Sequence, residues 1–536
     1  MNLQSPRARH ALMVAFGIVT ATFLYGEAAV TATANEPLVA TQGLLTSDGS
    51  PTGIEPVAYT LLESDDDKDS KEAESDNEAE TSETVPLADY EKLLSRVDDI
   101  EESWEGYQEK LADEAAEKKK KSTYKLGGRV HLDSWNFLES DPGINFLETG
   151  DYDDDPENRW DFRRIRLELE GTVPNNMLYR IQIDFNNPSA AEMKDVYVGW
   201  NNLPYNQTLL LGNQKRPIGL DHLNSSRHNV FAERPLAVET FNEDARRPGI
   251  GMYGYTDDEL LHWRYGAFLL ENISTDGRVR GDYTEGGLYG RLSSSPWYDD
   301  ISGGRGYLHL ALAGSLNQTD GDGNLDLDDN NNEARFRTRP EARSDSRWWN
   351  TNRILGANHY QQLAYEFMLN VGAFQLTSEY FGNWVQRDPL GGFNGDDLFF
   401  HGGYVFASYF LTGEHIPYDR KTGTIGRVKP FENFFLVDRC CGGTGTGLGA
   451  FAVALRYDYL TLSDSDIRGG TGHSITAGLN WYWTAYSKVQ TNLIWGTIEN
   501  AGQGQSNSGP DDTTVPLASG VGGDYAILGM RFMIDF

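Results

Sequence analysis

Positive charge in this chain is concentrated rather than spread. Arg163, Arg164 and Arg166 form one cluster, Lys215 and Arg216 a second, Arg246 and Arg247 a third, and Arg335, Arg337, Arg339, Arg343 and Arg347 a fourth, in a sequence of formal net charge −34. Closely spaced guanidinium groups suit carboxylate or phosphate oxygens, which they hold by paired, charge-assisted hydrogen bonds. The same clusters also read as solvated loop charge, and type and spacing alone leave both readings open. Arg164, Arg166 and Arg531 are set apart by position: each lies on a segment whose alternate residues are apolar, and so falls on the polar face of a strand.

Other chemistry is thinly represented. No G-x-S-x-G or H-E-x-x-H pattern occurs, so nothing argues for an enzyme, and no cofactor is expected. Asp320-Gly321-Asp322-Gly323-Asn324-Leu325-Asp326 begins like a calcium loop, but Leu325 stands where the sharp turn needs glycine and Asn331 where a bidentate glutamate belongs. That excludes a standard EF-hand and leaves a looser surface calcium site open. Gly442 to Gly449 precedes a strand-like run rather than a helix, which excludes a phosphate cradle. Adjacent Cys440 and Cys441 can close only a strained ring and read as loop residues. Residues 1–121 sum to −15 and residues 122–536 to −19, so nucleic acid is not an expected partner.

The elements that must position the arginines are strands. Tyr525 to Phe536 places Ala526, Leu528, Met530, Phe532, Ile534 and Phe536 on one face and Tyr525, Gly529, Arg531 and Asp535 on the other. Ile165, Leu167 and Leu169 alternate with Arg164, Arg166, Glu168 and Glu170; after a turn at Pro174-Asn175-Asn176, Tyr179, Ile181, Ile183 and Phe185 alternate with Arg180, Gln182 and Asp184. Phe374 to Tyr380 and Ile475 to Trp483 repeat the pattern. Only 39% of residues are hydrophobic, with 57 glycines and 27 tyrosines, as many strands and turns require. A soluble barrel buries the apolar faces and a membrane barrel exposes them to lipid at the same period. Export, the aromatic run Trp481-Tyr482-Trp483, and short turns alternating with long polar loops favour the membrane.

The N-terminal region reads as three pieces. Residues 1–34 carry Arg7 and Arg9, an apolar run from Ala11 to Tyr25 and the small residues Ala32-Thr33-Ala34, the order of a secretory signal peptide. Residues 35–85 are polar and strongly acidic, either a disordered tether or an acidic binding tail. Residues 86–121 open at Pro86 and repeat Leu87, Tyr90, Leu94, Val97, Trp104, Leu111 and Ala115 at three- and four-residue steps, interrupted by Glu101 and Gln108. They read as a short coiled coil shared between subunits, or as a lone amphipathic helix.

Several segments of residues 124–536 resemble, in order, the phosphate-selective porin O and P family: LLLGNQKRPIGL (Leu209 to Leu220), FAERPLAVETFNEDARRPGIG (Phe231 to Gly251), RTRPE (Arg337 to Glu341), the Gly402 to Pro430 run, and the closing LGMRFMIDF. The resemblance implies an all-β fold, a 16-stranded antiparallel barrel over residues 122–536 in the outer membrane and in contact with its lipid. It also implies a homotrimer whose basic residues line a path for small anions such as phosphate. Lys215, Arg234 and Arg247 sit in matching segments and are carried over as channel candidates, beside Arg164, Arg166, Arg180, Arg216, Arg337, Arg339 and Arg531. A general porin without anion preference, or a barrel that anchors the envelope, stands as the alternative.

Overall fold

The computed structural model describes residues 87–119, 121–174, 176–187, 189–243, 245–274, 277, 285–319, 334–389, 395–435, 437–438, 442–502 and 520–536. The expected signal peptide, the acidic segment, the calcium-like loop at Asp320 and the two cysteines lie outside them. A helix, α1, runs Leu87–Lys119. Its described apolar positions, among them Leu94, Val97, Trp104 and Leu111, are exposed.

Among the described residues sixteen strands close one antiparallel barrel in chain order. They are β1 (Lys125–Ser140), β2 (Arg159–Val173), β3 (Met177–Asp184), β4 (Glu192–Leu203), β5 (Gln207–Lys215), β6 (Arg246–Tyr255), β7 (Leu261–Leu269) and β8 (Gly286–Tyr298). There follow β9 (Gly306–Gln318), β10 (Ala357–Val371), β11 (Phe374–Arg387), β12 (Leu398–Phe410), β13 (Ala450–Asp464), β14 (Ile467–Thr484), β15 (Ser487–Ala501) and β16 (Val521–Asp535). The first and last strands seal the cylinder, with Arg129 opposite Asp535 and Ser140 opposite Tyr525. Closure leaves no unpaired strand edge, which a bilayer interior would not tolerate.

The alternation resolves with the apolar side outward. Phe532 is 40% exposed while its neighbour Arg531 is 1% exposed. Leu167, Ile181, Val198, Leu292, Leu312, Leu455 and Leu479 likewise face out, while Arg164, Arg166, Gln182, Asp184, Glu366 and Arg456 are buried in the interior. In lipid the outer surface is the hydrophobic one, so the soluble-barrel pattern is inverted. Trp481, Trp483, Phe451 and Phe532 form a contiguous outward aromatic cluster near one end, with ring centroids 5.4–6.0 Å apart. No described helix is long and apolar enough to cross a membrane.

At one end the strands are joined by tight turns such as 204–206, 372–373 and 485–486; at the other the connections are longer, including 141–158, which holds the short helix α2 (Pro142–Thr149), 216–245 and 319–356. Two connections break this rule: 411–449 is long on the turn side, and 465–466 is tight on the other. Part of the interior is apolar too. Inward Phe381 of β11 stacks on Phe241 of a helix in the 216–245 loop, α4 (Leu236–Phe241), inward Phe406 of β12 meets Phe231 ahead of that helix, and inward Phe400 of β12 meets Phe336 of the 319–356 connection.

Candidate functional site

The loop 216–245 leaves β5 and crosses the barrel to its far wall. It contains two short helices, α3 (Leu220–Leu223) and α4. Buried backbone groups need partners, and wall side chains supply them. Glu379 of β11 accepts from the amides of Leu220 and Asp221 at 2.6 and 2.7 Å. Asn492 of β15 accepts from Ala232 N at 2.8 Å, and Lys488 donates to Asn229 O at 2.6 Å. Gly219, just before α3, has φ +83°, and a Cβ there would lie 2.9 Å from the Phe381 ring, so a side chain at this position would lift the loop from the wall.

Glu233 is the strongest anchor. Its carboxylate accepts from Arg163 at 2.7 and 3.0 Å and from Arg531 at 2.6 Å. Burial opposes its ionisation, but Arg163 and Arg531 outweigh that and hold the carboxyl well below the ordinary glutamate range. The loop 319–356 is pinned in the same way: Glu341, in a left-handed conformation at φ +52°, accepts from Arg456 at 2.7 Å and Ser474 at 2.6 Å.

From the turn side, the 416–428 stretch of the 411–449 connection enters the lumen and meets the crossing loop, with Ile416, Tyr418, Ile425 and Val428 buried. Ile425 N donates to Asn224 Oδ1 at 3.0 Å, and His228 Nδ1 lies 3.1 Å from Ile425 O. Arg227 of the crossing loop and Arg427 of the turn-side loop share the Asp535 carboxylate, each at 3.0 Å. Burial lowers the His228 imidazole to about 4, against the raising effect of its carbonyl partner.

Beside this junction a cavity of about 450 Å³ is lined by Arg129, Arg164, Arg166, Arg180, Lys215, Arg234, Arg246, Arg264 and Lys421, with Asp195 the one carboxylate in its lining. A smaller cavity of about 80 Å³ is lined by Arg216, Arg247, Arg335, Arg337 and Arg353 with Glu243. The neighbouring pairs Lys215/Arg216 and Arg246/Arg247 are thus each split between the two cavities, Lys215 and Arg246 lining the larger and Arg216 and Arg247 the smaller.

The basic residues divide by how far they are already engaged. Arg531 is held by Asp133 through two bonds of 2.6 Å as well as by Glu233, and lines neither cavity. Arg166 pairs with Asp184 at 2.6 Å, Arg180 with Glu168 at 2.8 Å, and Arg337 with Glu243 at 2.5 Å. Arg339 donates to the carbonyls of Ser344 and Asp345 and lines neither cavity. Arg234 donates to Asp221 O and Asn224 O and lies 3.4 Å from the Asp221 carboxylate. Arg216 donates to Tyr289 OH and Glu243 O.

Among the described residues, Arg164, Lys215 and Arg264 pair with no carboxylate. Arg164 meets His131 at 3.3 Å, Lys215 donates to the carbonyls of residues 222–224 at 2.6–3.0 Å, and Arg264 donates to Thr422 O at 2.7 Å. The Nε atoms of Arg129 and Arg164 are buried without a hydrogen-bond partner among the described residues. Arg129, Arg264 and Lys421 stand outside the basic clusters of the sequence, and only the barrel brings them to the cavity. Glu233 and Glu341 lie inside the family-like segments, where their neighbouring arginines draw attention first.

The family model of phosphate-selective porin O and P matches residues 125–536. An uncharacterized protein of Caulobacter vibrioides is 25% identical over 385 residues, covering 70% of this chain and 68% of its own. Among solved structures, an anion-selective porin from Comamonas acidovorans is 12% identical, with a TM-score of 0.44, covering 77% of this chain and 100% of its own. The outer membrane channel DcaP of Acinetobacter baumannii is 10% identical, with a TM-score of 0.42, covering 77% and 97%.

Proposed function

Because the chain belongs to the phosphate-selective porin O and P family and is an outer-membrane porin, we propose that it is a passive channel with a preference for small anions, phosphate among them. The observation that supports this reading is the lining of the larger cavity, nine cations and one carboxylate, in which Arg164, Lys215 and Arg264 pair with no carboxylate among the described residues. An anion close to these groups, in a medium of lower effective dielectric than water, gains up to a few kcal/mol per close pair. In a wide vestibule the same charges are screened within about 8–10 Å at ordinary salt. Selectivity therefore follows the narrow section beside the crossing loop and not the acidic total of the chain. Several weak sites in series let the ion leave again.

The rest of the chain fits a porin of the envelope. Residues 1–34 direct export, residues 35–85 act as an acidic tether, and α1 associates with its copies in a homotrimer on the turn side, which in outer-membrane barrels faces the periplasm. The test is charge reversal at the candidates carried over from the family: Lys215→Glu, Arg234→Glu and Arg247→Glu, each recorded in planar bilayers. Anion preference falls or reverses in at least one. Unchanged selectivity in all three removes these residues as the filter.

A further inference from the structure

The long turn-side connection has a second half that leaves the lumen. Glu414, buried at the rim, accepts from the amide of Phe431 at 3.0 Å and from the hydroxyl of Thr412, and past this point the chain lies against the outer face of the wall. Phe434 N donates to Trp483 O at 2.7 Å, and Trp481 Nε1 donates to Leu448 O at 2.7 Å. Both tryptophans belong to the outward aromatic cluster at that end of the barrel. A two-residue ladder, Val437–Asp438 against Thr444–Gly445, and a bond of 3.1 Å from Phe435 N to Gly447 O hold the two arms of this hairpin together. Gly449 ends the excursion at φ +72°: a Cβ there would lie 2.2 Å from Tyr482 O, so glycine is what lets the chain turn back into β13 this close to β14.

The rings of the hairpin continue those of the wall. Centroids are 6.1 Å apart from Phe435 to Phe434, 4.7 Å from Phe434 to Trp481, 5.4 Å from Trp481 to Trp483 and 6.0 Å from Trp483 to Phe532. A single run of aromatic rings therefore leads from the lipid-facing barrel onto a segment outside it. On that segment Phe431, Phe435 and Leu448 are 66%, 60% and 72% exposed, among the exposed polar residues Glu432, Asn433, Thr444 and Thr446. Apolar side chains of this size left open at one rim mark a contact surface.

The surroundings decide what covers them. Phe434 fixes the hairpin to the strip of wall that also exposes Leu455, Leu479 and Ile534, and the aromatic end of such a strip marks the level where hydrocarbon gives way to headgroups. Phenylalanine and leucine beside glutamate, asparagine and threonine suit that boundary, where rings enter the acyl region and polar groups stay in water; the core of a subunit interface is depleted of charge. We propose that residues 431–435 and 444–449 form an interfacial anchor outside the barrel, with Phe431, Phe435 and Leu448 inserted among the phospholipids of the leaflet on the turn side. The preceding stretch is bonded to the lumen wall, Ile416 O accepting from Tyr307 OH at 2.9 Å and Gly423 O from Arg291 at 3.1 Å. The connection thus straddles the rim, one half in the pore and the other in lipid, whichever ion the pore passes.

The test uses the full-length protein carrying p-benzoylphenylalanine in place of Phe435, reconstituted in vesicles of phosphatidylethanolamine and phosphatidylglycerol and irradiated. Intact mass then shows the gain of one phospholipid, as it does when the photoreactive residue replaces Phe532 on the lipid-facing wall. Covalently joined chains at position 435, without a lipid adduct, overturn the proposal in favour of a second copy as the occupant. Lipid capture at position 532 with no adduct at position 435 overturns it in favour of water.

Discussion

Replacing Glu233 by glutamine removes the charge that ties the crossing loop to two strands at once. The carboxylate takes two bonds from Arg163 and one from Arg531, so the substitution leaves positive charge uncompensated in a buried site. Breaking one side of a buried ion pair costs about 3–5 kcal/mol. Arg531 keeps Asp133, with two bonds of 2.6 Å, and glutamine retains one acceptor oxygen, which together place the cost near the lower limit, about 3 kcal/mol. That shifts the balance between seated and displaced loop by on the order of 10²-fold toward displacement. The barrel wall is unaffected, because its ladder bonds do not involve Glu233. Single-channel recordings of Glu233→Gln should therefore show added open-channel noise and sub-levels, at unchanged heat-resistance of the barrel in detergent. A quiet channel of unmodified conductance would refute the idea that this carboxylate holds the constriction.

Much of the fold is legible in the sequence, and its limits are physical. The two-residue period of Arg164 to Glu170 and of Ala526 to Phe536 marks strands, and the signal-peptide pattern expected of residues 1–34 together with the aromatic run Trp481 to Trp483 points to lipid as the outer solvent. The period cannot show that Phe381, Phe400 and Phe406 turn inward. These residues meet Phe241, Phe336 and Phe231 of the loops inside the lumen, and a lumen filled by loops needs apolar wall there, as a water-filled lumen would not. Nor can spacing distinguish a conducting arginine from a structural one. Arg531 and Arg164 sit on equivalent polar faces, yet Arg531 meets Asp133 across the barrel seam while Arg164 meets a histidine. That difference depends on partners up to 398 positions away in sequence. The acids explain the rest: Glu233, Glu341 and Glu379 fix loops to the wall, and this role appears only when β11, β13 and β16 stand across from β5.

Other outcomes can be checked directly. Full-length protein should run as a trimer in detergent by mass measurement, and a chain restricted to residues 122–536 should dissociate more readily; monomers in both would remove the oligomer, and equal stability would remove the role of α1. The exported protein should begin near Asn35, and an intact Met1 on sequencing of the mature N-terminus would exclude the signal peptide. His228 gives the junction of the two lumen loops a pH dependence. Its imidazole ionises near 6.5 when free and at about 4 in the fold, so the folded state refuses a proton that the free loop accepts. Docking is unaffected above pH 6.5 and weakens as pH falls from 6.5 to 4, by up to roughly 3 kcal/mol. Current noise should rise over that window in the unmodified channel and stay flat in His228→Gln, and equal pH responses in the two would exclude His228 as the source.

The central claim is that local charge beside the crossing loop, and not the net charge of −34, sets the sign of selectivity. The zero-current potential of single channels of the unmodified protein, measured across a tenfold potassium chloride gradient, tests it most directly: the predicted sign is that of chloride permeating faster than potassium, and a potential of the opposite sign would contradict the account.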